Sequence, residues 1–232
     1  MLIQAGHDVV GTTRSPERAE AMRPSGLEML VVDMFDAAAV RASLIRAAPD
    51  VVVHQLTDLS GLAAGSMESA VKANATLRRE ATLNLVRGMR DAGVSAIVAQ
   101  SIAWAYAPGA GPHREDDPLD VEAVGLRGIT VGGVVALEEA VLETSGIEGT
   151  VLRYGHFYGG DSGTASPDGD CSVHVEAAAH AALLAATRKV AGVYNIADVD
   201  QSTSSTRAER ILGWRPSFRI RNPVWSAAPM RP

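Results

Sequence analysis

Ser101 closes an apolar run that begins at Ala96, and Tyr106 follows it in an aromatic, turn-rich stretch that also holds Trp104. In open α/β sheets ligands sit beyond the carboxyl ends of the strands, so a hydroxyl at the end of a buried strand stands where chemistry would occur. Tyr106 is the nearest phenol downstream, with aromatic packing beside Trp104 as its alternative role. A strand-end serine satisfied by backbone is the corresponding alternative for Ser101. Tyr154, His156 and Tyr158 lie just after a second apolar run that ends at Arg153. On a loop facing the same crevice, they would make a substrate wall with hydrogen-bonding handles. His54, His174, Glu176 and His180 form no recognised metal spacing, so no metal is expected.

Short apolar runs and helical stretches must hold these residues in place. Strands are expected over His7–Thr13, Leu27–Asp33, Val51–Leu56, Ala96–Ser101, Gly149–Arg153 and Gly192–Ala197. Helices are expected from Ser15-Pro16, over Asp36–Ala47, Met67–Ala92, Thr130–Thr144, His174–Arg188 and Arg207–Leu212. Met1–His7 reads as the end of a helix closed by Gly6 in the left-handed region. Asp58–Ser66, Pro108–Leu126 and Tyr154–Asp170 read as loops, and the tail from Asn222 as loosely held. Alternating strands and helices give an α/β fold with a doubly wound, Rossmann-like parallel sheet. Residues 1–153 would be the nucleotide-binding core and 154–232 a small C-terminal substrate-side lobe, with 174–197 returning to the core.

The 232 residues, 47% hydrophobic and 21% charged, suit one soluble globular domain with a small appendage. A net charge of -6 without a basic cluster argues against nucleic acid as a partner. There is no secretory n-region and no apolar span of about 18 residues, which argues against a membrane partner. Cys171 is the single cysteine and cannot form an internal disulfide. A cytoplasmic location is the expectation.

Several phrases, in order, carry a resemblance: AGHDVVGTTRSPER, LVVDMFD, PDVVVHQLTDL, QSIAWAY, LRYGHFYGG, VHVEAAAHAAL, GVYNIAD and RAERILGWRP. Together they resemble the extended and atypical short-chain dehydrogenase/reductases, the NAD-dependent epimerase/dehydratases. The resemblance covers nearly the whole chain and implies a dinucleotide cofactor. It puts Thr12 and Arg14 where the family chooses between NAD and NADP, and an arginine with no nearby acid favours NADP. Asp33 and Met34 would flank the adenine, while Gln55, Leu56 and Thr57 would line the groove. A surface arginine, a strand-end aspartate and a polar strand terminus are the plain alternatives. Ser101 resembles the hydroxyl that hydrogen-bonds a substrate carbonyl.

The family pattern also begins with a strand and a glycine-rich turn. Residue 1 falls inside its first helix, and no Gly-x-Gly-x-x-Gly occurs in the chain. The absent strand would lie between those at Val9 and Val51, leaving two edges to be paired otherwise. The family's Tyr-x-x-x-Lys pair is also changed, with Thr130 at the tyrosine position and Val134 at the lysine position. A threonine hydroxyl cannot shuttle a proton as a cation-assisted phenol can, and Tyr106 would be its replacement. The implied function is an oxidoreductase of the epimerase/dehydratase type acting on a small carbonyl or hydroxyl substrate, such as a sugar nucleotide or secondary metabolite. Two alternatives stay open: a redox-inactive relative that binds or isomerises a small ligand, and a nucleotide-sensing regulatory protein. The resemblance implies a homodimer. The apolar face of the Thr130 helix (Val134, Val135, Leu137, Val141 and Leu142) would pack in the core or across that dimer, and Arg78 and Arg79 would be solvated or salt-bridged.

Overall fold

Three apolar runs, Val52–His54 (β3), Ala96–Ile102 (β4) and Glu148–Tyr154 (β5), lie side by side in parallel, and Gly192–Ile196 (β8) adds to β5. A computed structural model describes residues 1–23, 27–58, 61, 64–160 and 162–220. Parts of the Asp58–Ser66 loop and the tail from Asn222 fall outside the described residues. The interior strands are nearly continuous runs of buried residues, as a parallel sheet covered on both faces requires. Val10–Thr13 (β1) and Glu28–Val31 (β2) form a separate parallel pair. Among the described residues β1 and β3 do not hydrogen-bond to each other, and no other described strand pairs with the second edge of either.

Helices cover the two faces of the four-stranded sheet. On one lie Met67–Thr76 (α3), Thr82–Asp91 (α4) and Gly125–Leu142 (α5). Leu85, Met89, Leu137 and Val141 pack there against Ile97, Ala99 and Val151, together with Val40 and Leu44 of Ala37–Ala47 (α2). On the other, Val175–Arg188 (α6) presents Ala177, Ala181 and Ala185 to Val98, Leu152, Tyr154 and Ile196. Small alanines let this helix lie close to the strands. Pro16–Met22 (α1) starts as its sequence demands: Ser15 Oγ accepts from Arg18 N at 3.1 Å and proline sits in the first turn. Asp36 caps α2 in the same way, accepting from Ala38 N and Ala39 N.

The single long helix expected over 67–92 is instead α3, a π-helical turn at Leu77–Ala81, and α4 in unbroken succession. A π turn inserts one extra residue, which rotates the faces of the helix on either side of it. Helix α5 begins five residues before the expected Thr130, since packing overrides the poor helix propensity of Gly128 and Gly132. Within the expected Tyr154–Asp170 loop, His156–Tyr158 (β6) pairs in parallel with Ser172–His174 (β7). The chain after 154 thus contributes both this pair and two core elements, α6 and β8. Ala208–Leu212 forms a final π-helical turn closed by Gly213 at φ 63°, and Gly6, at φ 88°, closes the turn at Ile3–Ala5.

Of the apolar face expected on α5, Val134, Leu137 and Val141 are buried in the core, Val135 is half-buried and Leu142 is exposed. Helices α3 and α5 meet at Gly133, where an added Cβ would stand 2.8 Å from Ala75 Cα. Gly133→Ala therefore forces two backbones apart, and strain of about 1–3 kcal/mol exceeds the gain of up to about 1 kcal/mol in helix propensity. A thermal melt several degrees below the parent is expected, and an unchanged melt would show that the two helices can separate freely.

Candidate active site at the strand ends

The pleat sorts the strand-end residues between two faces, since successive side chains of a strand point in opposite directions. Gln55, Gln100 and Tyr154 face α6, while His54, Ser101 and Arg153 face α4 and α5. The candidate residues are therefore not one cluster. They divide into a cavity on one side of the sheet and a buried polar network on the other.

The network is built around an ion pair. Arg153 Nη2 donates to Glu138 Oε2 at 2.6 Å and its Nε to Oε1 at 3.0 Å, with both side chains less than a tenth exposed. Ser101, fully buried, donates from Oγ to the same Glu138 Oε1 at 2.6 Å. Tyr106 OH accepts from Arg153 Nη1 at 2.9 Å and donates to Asn195 Oδ1 at 2.7 Å. Glu115 completes the chain: its Oε1 accepts from Asn195 N at 2.9 Å and its carbonyl from Arg153 Nη1 at 3.2 Å. Burial raises the Tyr106 phenol above its ordinary range, a shift that the Arg153 charge opposes. Burial likewise works against the Arg153 charge, but Glu138 outweighs it and the guanidinium stays firmly protonated.

Thr130 lies elsewhere. It is half-buried in the first turns of α5, and its Oγ1 donates back to the Leu126 carbonyl at 3.0 Å. Sequence reasoning did not bring Glu138, Arg153, Asn195 and Glu115 together as a set. Charged residues at such apolar positions, Arg153 between Leu152 and Tyr154 above all, were the signal available.

The cavity, of about 490 Å³, is mostly apolar. Gln55 and Gln100 supply amides at the ends of β3 and β4, and Tyr154, Phe157, Ala178 and Leu183 supply apolar wall. Burial pushes the Tyr154 phenol up, against a hydrogen bond with Gln55. His156 and Tyr158 leave this wall by the alternation of β6. His156 stacks on Trp104 at 5.3 Å, and Tyr158 OH donates to Asp198 Oδ2 at 2.8 Å. Phe157, between them, takes the cavity position.

At the other end, Arg14 follows β1, well exposed, with Nη2 3.3 Å from Asp58 Oδ2. Asp33 and Met34 follow β2, Asp33 accepting from Phe35 N at 3.0 Å, and Leu56 N donates to His54 Nδ1 at 3.3 Å. Thr12 and Thr57 are exposed. A row of polar groups thus runs along the carboxyl ends of β1, β2, β3 and β4.

Residues 1–188 match the NAD(P)H-binding protein family. The chain belongs to this family. Over 213 residues this NAD(P)H-binding protein is 36% identical to a 3-diazoavenalumate denitrifying reductase of Streptomyces sp, covering 83% of this chain and 68% of the relative. Its fold is that of UDP-N-acetylglucosamine 4-epimerase from Bacillus cereus, with a TM-score of 0.69 at 18% identity over 94% of this chain and 87% of that one. A double mutant of dTDP-glucose 4,6-dehydratase from Streptomyces venezuelae, solved with NAD, gives 0.68 at 20% over 94% and 87%. The NAD(P)H-binding protein is thus Rossmann-like and has the fold of the epimerase/dehydratase branch of the extended short-chain dehydrogenase/reductases. No described helix is long and apolar enough to cross a membrane, and no group of metal-ligating side chains occurs among the described residues.

His54 gives this site a pH signature. It is buried, with Nε2 2.8 Å from Thr82 Oγ1, and burial aided by the charge of Arg78 depresses its pKa to about 4. The unfolded chain therefore binds a proton that the folded state refuses between about pH 6.5 and 4. Stability is fully present above the upper value and declines as pH falls through that window, by up to about 3 kcal/mol. Urea unfolding at pH 7 and 4.5 should show the loss, and a His54→Asn variant should lack that slope.

Proposed function

We propose that the chain is an NAD(P)H-dependent reductase of a small, electrophilic organic acid, with a diazo-bearing acid as the favoured substrate and NADP preferred to NAD. The observation that carries this reading is the identity with the denitrifying reductase over most of the chain, combined with the residues at positions 130 and 134. Reduction of a carbonyl leaves an alkoxide that needs a proton, which is why a phenol and a lysine are useful there. When bound, the dinucleotide supplies a hydride. At a carbon carrying the cationic diazonium form, hydride would make a C–H bond as the C–N bond breaks and neutral dinitrogen leaves, the two charges cancelling with no proton needed. Thr130 and Val134 are compatible with that chemistry.

The strand-end residues fit a dinucleotide. Thr12, Arg14, Asp33 and Met34 would hold its adenosine end, Arg14 offering a cation to a 2′-phosphate. Gln55 and Gln100 would hydrogen-bond the other end, in a cavity of the size that encloses small ligands. The apolar walls at Tyr154, Phe157 and Leu183 would shield the bound end from water. Ser101, Tyr106 and Glu138 act in this account as the rigid floor that fixes Arg153 beneath the strand ends.

Titration of the protein with NADPH and NADH, followed by cofactor fluorescence, tests the binding half of the reading. NADPH should bind more tightly, and Arg14→Ala should weaken it by about tenfold or more while leaving NADH within twofold, as expected for a charge-assisted contact. Failure of both cofactors to bind would remove the reading altogether and favour the redox-inactive alternative.

A further inference from the structure

The cavity on the α6 face has a single charged side chain in its lining, and it is an acid: Glu176, in the first turn of α6. Its Oε2 accepts from the backbone N–H of Ile220, another lining residue, at 2.7 Å. Its Oε1 has no hydrogen-bond partner among the described residues, and none of them forms an ion pair with the carboxylate. The guanidinium groups of the neighbourhood are committed elsewhere. Arg153 is turned to the opposite face of the sheet, on Glu138. Arg219 does not line this cavity: it donates to Tyr158 OH at 3.2 Å, whose own proton goes to Asp198.

The same lining holds two aromatic rings, Tyr154 and Phe157, with centroids 5.5 Å apart and planes inclined by 54°. The Tyr154 hydroxyl donates to the Ala178 carbonyl at 3.3 Å, which fixes that ring against α6. An aromatic face attracts a cation through its quadrupole. A carboxylate with no counter-charge, beside a mostly apolar space, attracts a cation and repels an anion more strongly than it would in water. Gln55 and Gln100 add neutral amides that can donate or accept and so do not offset this bias. One free carboxylate oxygen, two ring faces and no lining cationic side chain together make a receptor for positive charge on a flat ligand.

We propose that this cavity takes a flat organic cation and that Glu176 is the residue that selects it. For the identity of the substrate this rests on the reductase reading, in which the cation is the diazonium end of the acid. That end enters the cavity, and the substrate's own carboxylate is turned outward, away from Glu176. The test needs no turnover. Benzamidine, benzamide and benzoate have nearly the same shape and are cationic, neutral and anionic at pH 7.5. Calorimetric titration with each compares the parent with Glu176→Gln, which keeps an acceptor for Ile220 N and removes the charge, and with Ala182→Phe, which fills the cavity from α6. The parent should bind benzamidine at least about tenfold more tightly than benzamide, and benzoate most weakly. Glu176→Gln should bring benzamidine and benzamide to within about twofold of each other, and Ala182→Phe should weaken both. Far-ultraviolet dichroism and a thermal melt establish that the variants are folded, and the comparison of the three ligands on the parent stands without them. Equal binding of benzamidine and benzamide by the parent overturns the proposal, as does a preference for benzoate. A cation preference that survives in folded Glu176→Gln, or binding that survives in folded Ala182→Phe, overturns it as well. Failure of the parent to bind NADPH, with the Glu176-dependent cation preference intact, would instead strike the reductase reading and leave the cavity its ligand class.

Discussion

Replacing Glu138 by alanine is expected to remove about 3–5 kcal/mol of folding stability, the largest effect of any single change in the site. The cost arises from what is left behind. Arg153 keeps its position under Tyr106 and loses both its short contacts to a carboxylate, so a buried guanidinium remains without a counter-charge. Arg78 loses a negative charge that offsets its own burial, and Ser101 loses the acceptor of its hydroxyl. Glu138→Gln keeps the shape and one acceptor and should cost less than the alanine. Paired removal, Glu138→Leu with Arg153→Met, should recover a substantial part of the loss, since a buried ion pair is often replaceable by apolar side chains of similar volume. Urea unfolding of the four proteins reads this directly. A loss below about 1 kcal/mol for Glu138→Ala would mean that the ion pair is not desolvated as the structure shows it.

The second large effect concerns the reaction. Under the proposed function, threonine and valine stand at positions 130 and 134 where the resemblance puts the phenol and cation that protonate a nascent alkoxide. A ketone or aldehyde of the same skeleton should therefore turn over about 10²–10⁴-fold more slowly than the diazo acid, the range that a positioned general acid usually contributes. Thr130→Val should leave diazo turnover within about twofold, because that hydroxyl is already donated to the Leu126 carbonyl. Tyr106 is the remaining candidate for an acid, and its surroundings bear on that role. Its hydroxyl accepts from Arg153, donates to Asn195 and is raised by burial, an arrangement that resists giving up a proton. A Tyr106→Phe variant should accordingly lose stability, with the buried Arg153 Nη1 and Asn195 amide short of a partner, more than it loses turnover per folded molecule. Comparable rates for the carbonyl and diazo compounds would show that another group supplies the proton.

Much of the fold could be read from the chain because parallel strands announce themselves as unbroken apolar runs bounded by capping residues and glycines. Ser15-Pro16, Asp36 and Gly213 did so at their helix ends. The β6–β7 pair was hidden because His156, Phe157 and Tyr158 sit in a run of glycines and polar residues, where no period of two stands out. The π turn was hidden because its residues are ordinary helix formers, so no local signal marks the extra residue. At the site, the strand ends were legible and the division between the two faces was not. Ser101 and Tyr154 each stand at the carboxyl end of an apolar strand, but only their position in the pleat tells that they face opposite ways. The Arg153–Glu138 pair joins residues fifteen apart in sequence, and nothing local to either position names the other. Long-range partners of this kind are set by register between strand and helix, which a single sequence does not encode in any short window.

The central claim is that hydride delivered at these strand ends expels nitrogen from a diazo acid without a phenol–lysine pair. Purified protein mixed anaerobically with NADPH and 3-diazoavenalumate labelled with ¹⁵N in the diazo group, with released gas followed by mass spectrometry, tests it most directly. One labelled dinitrogen should be released for each NADPH oxidised, at a rate that Thr130→Val leaves essentially unchanged. NADPH that binds but is not oxidised, or is oxidised with both labelled atoms retained in the organic product, would contradict the account.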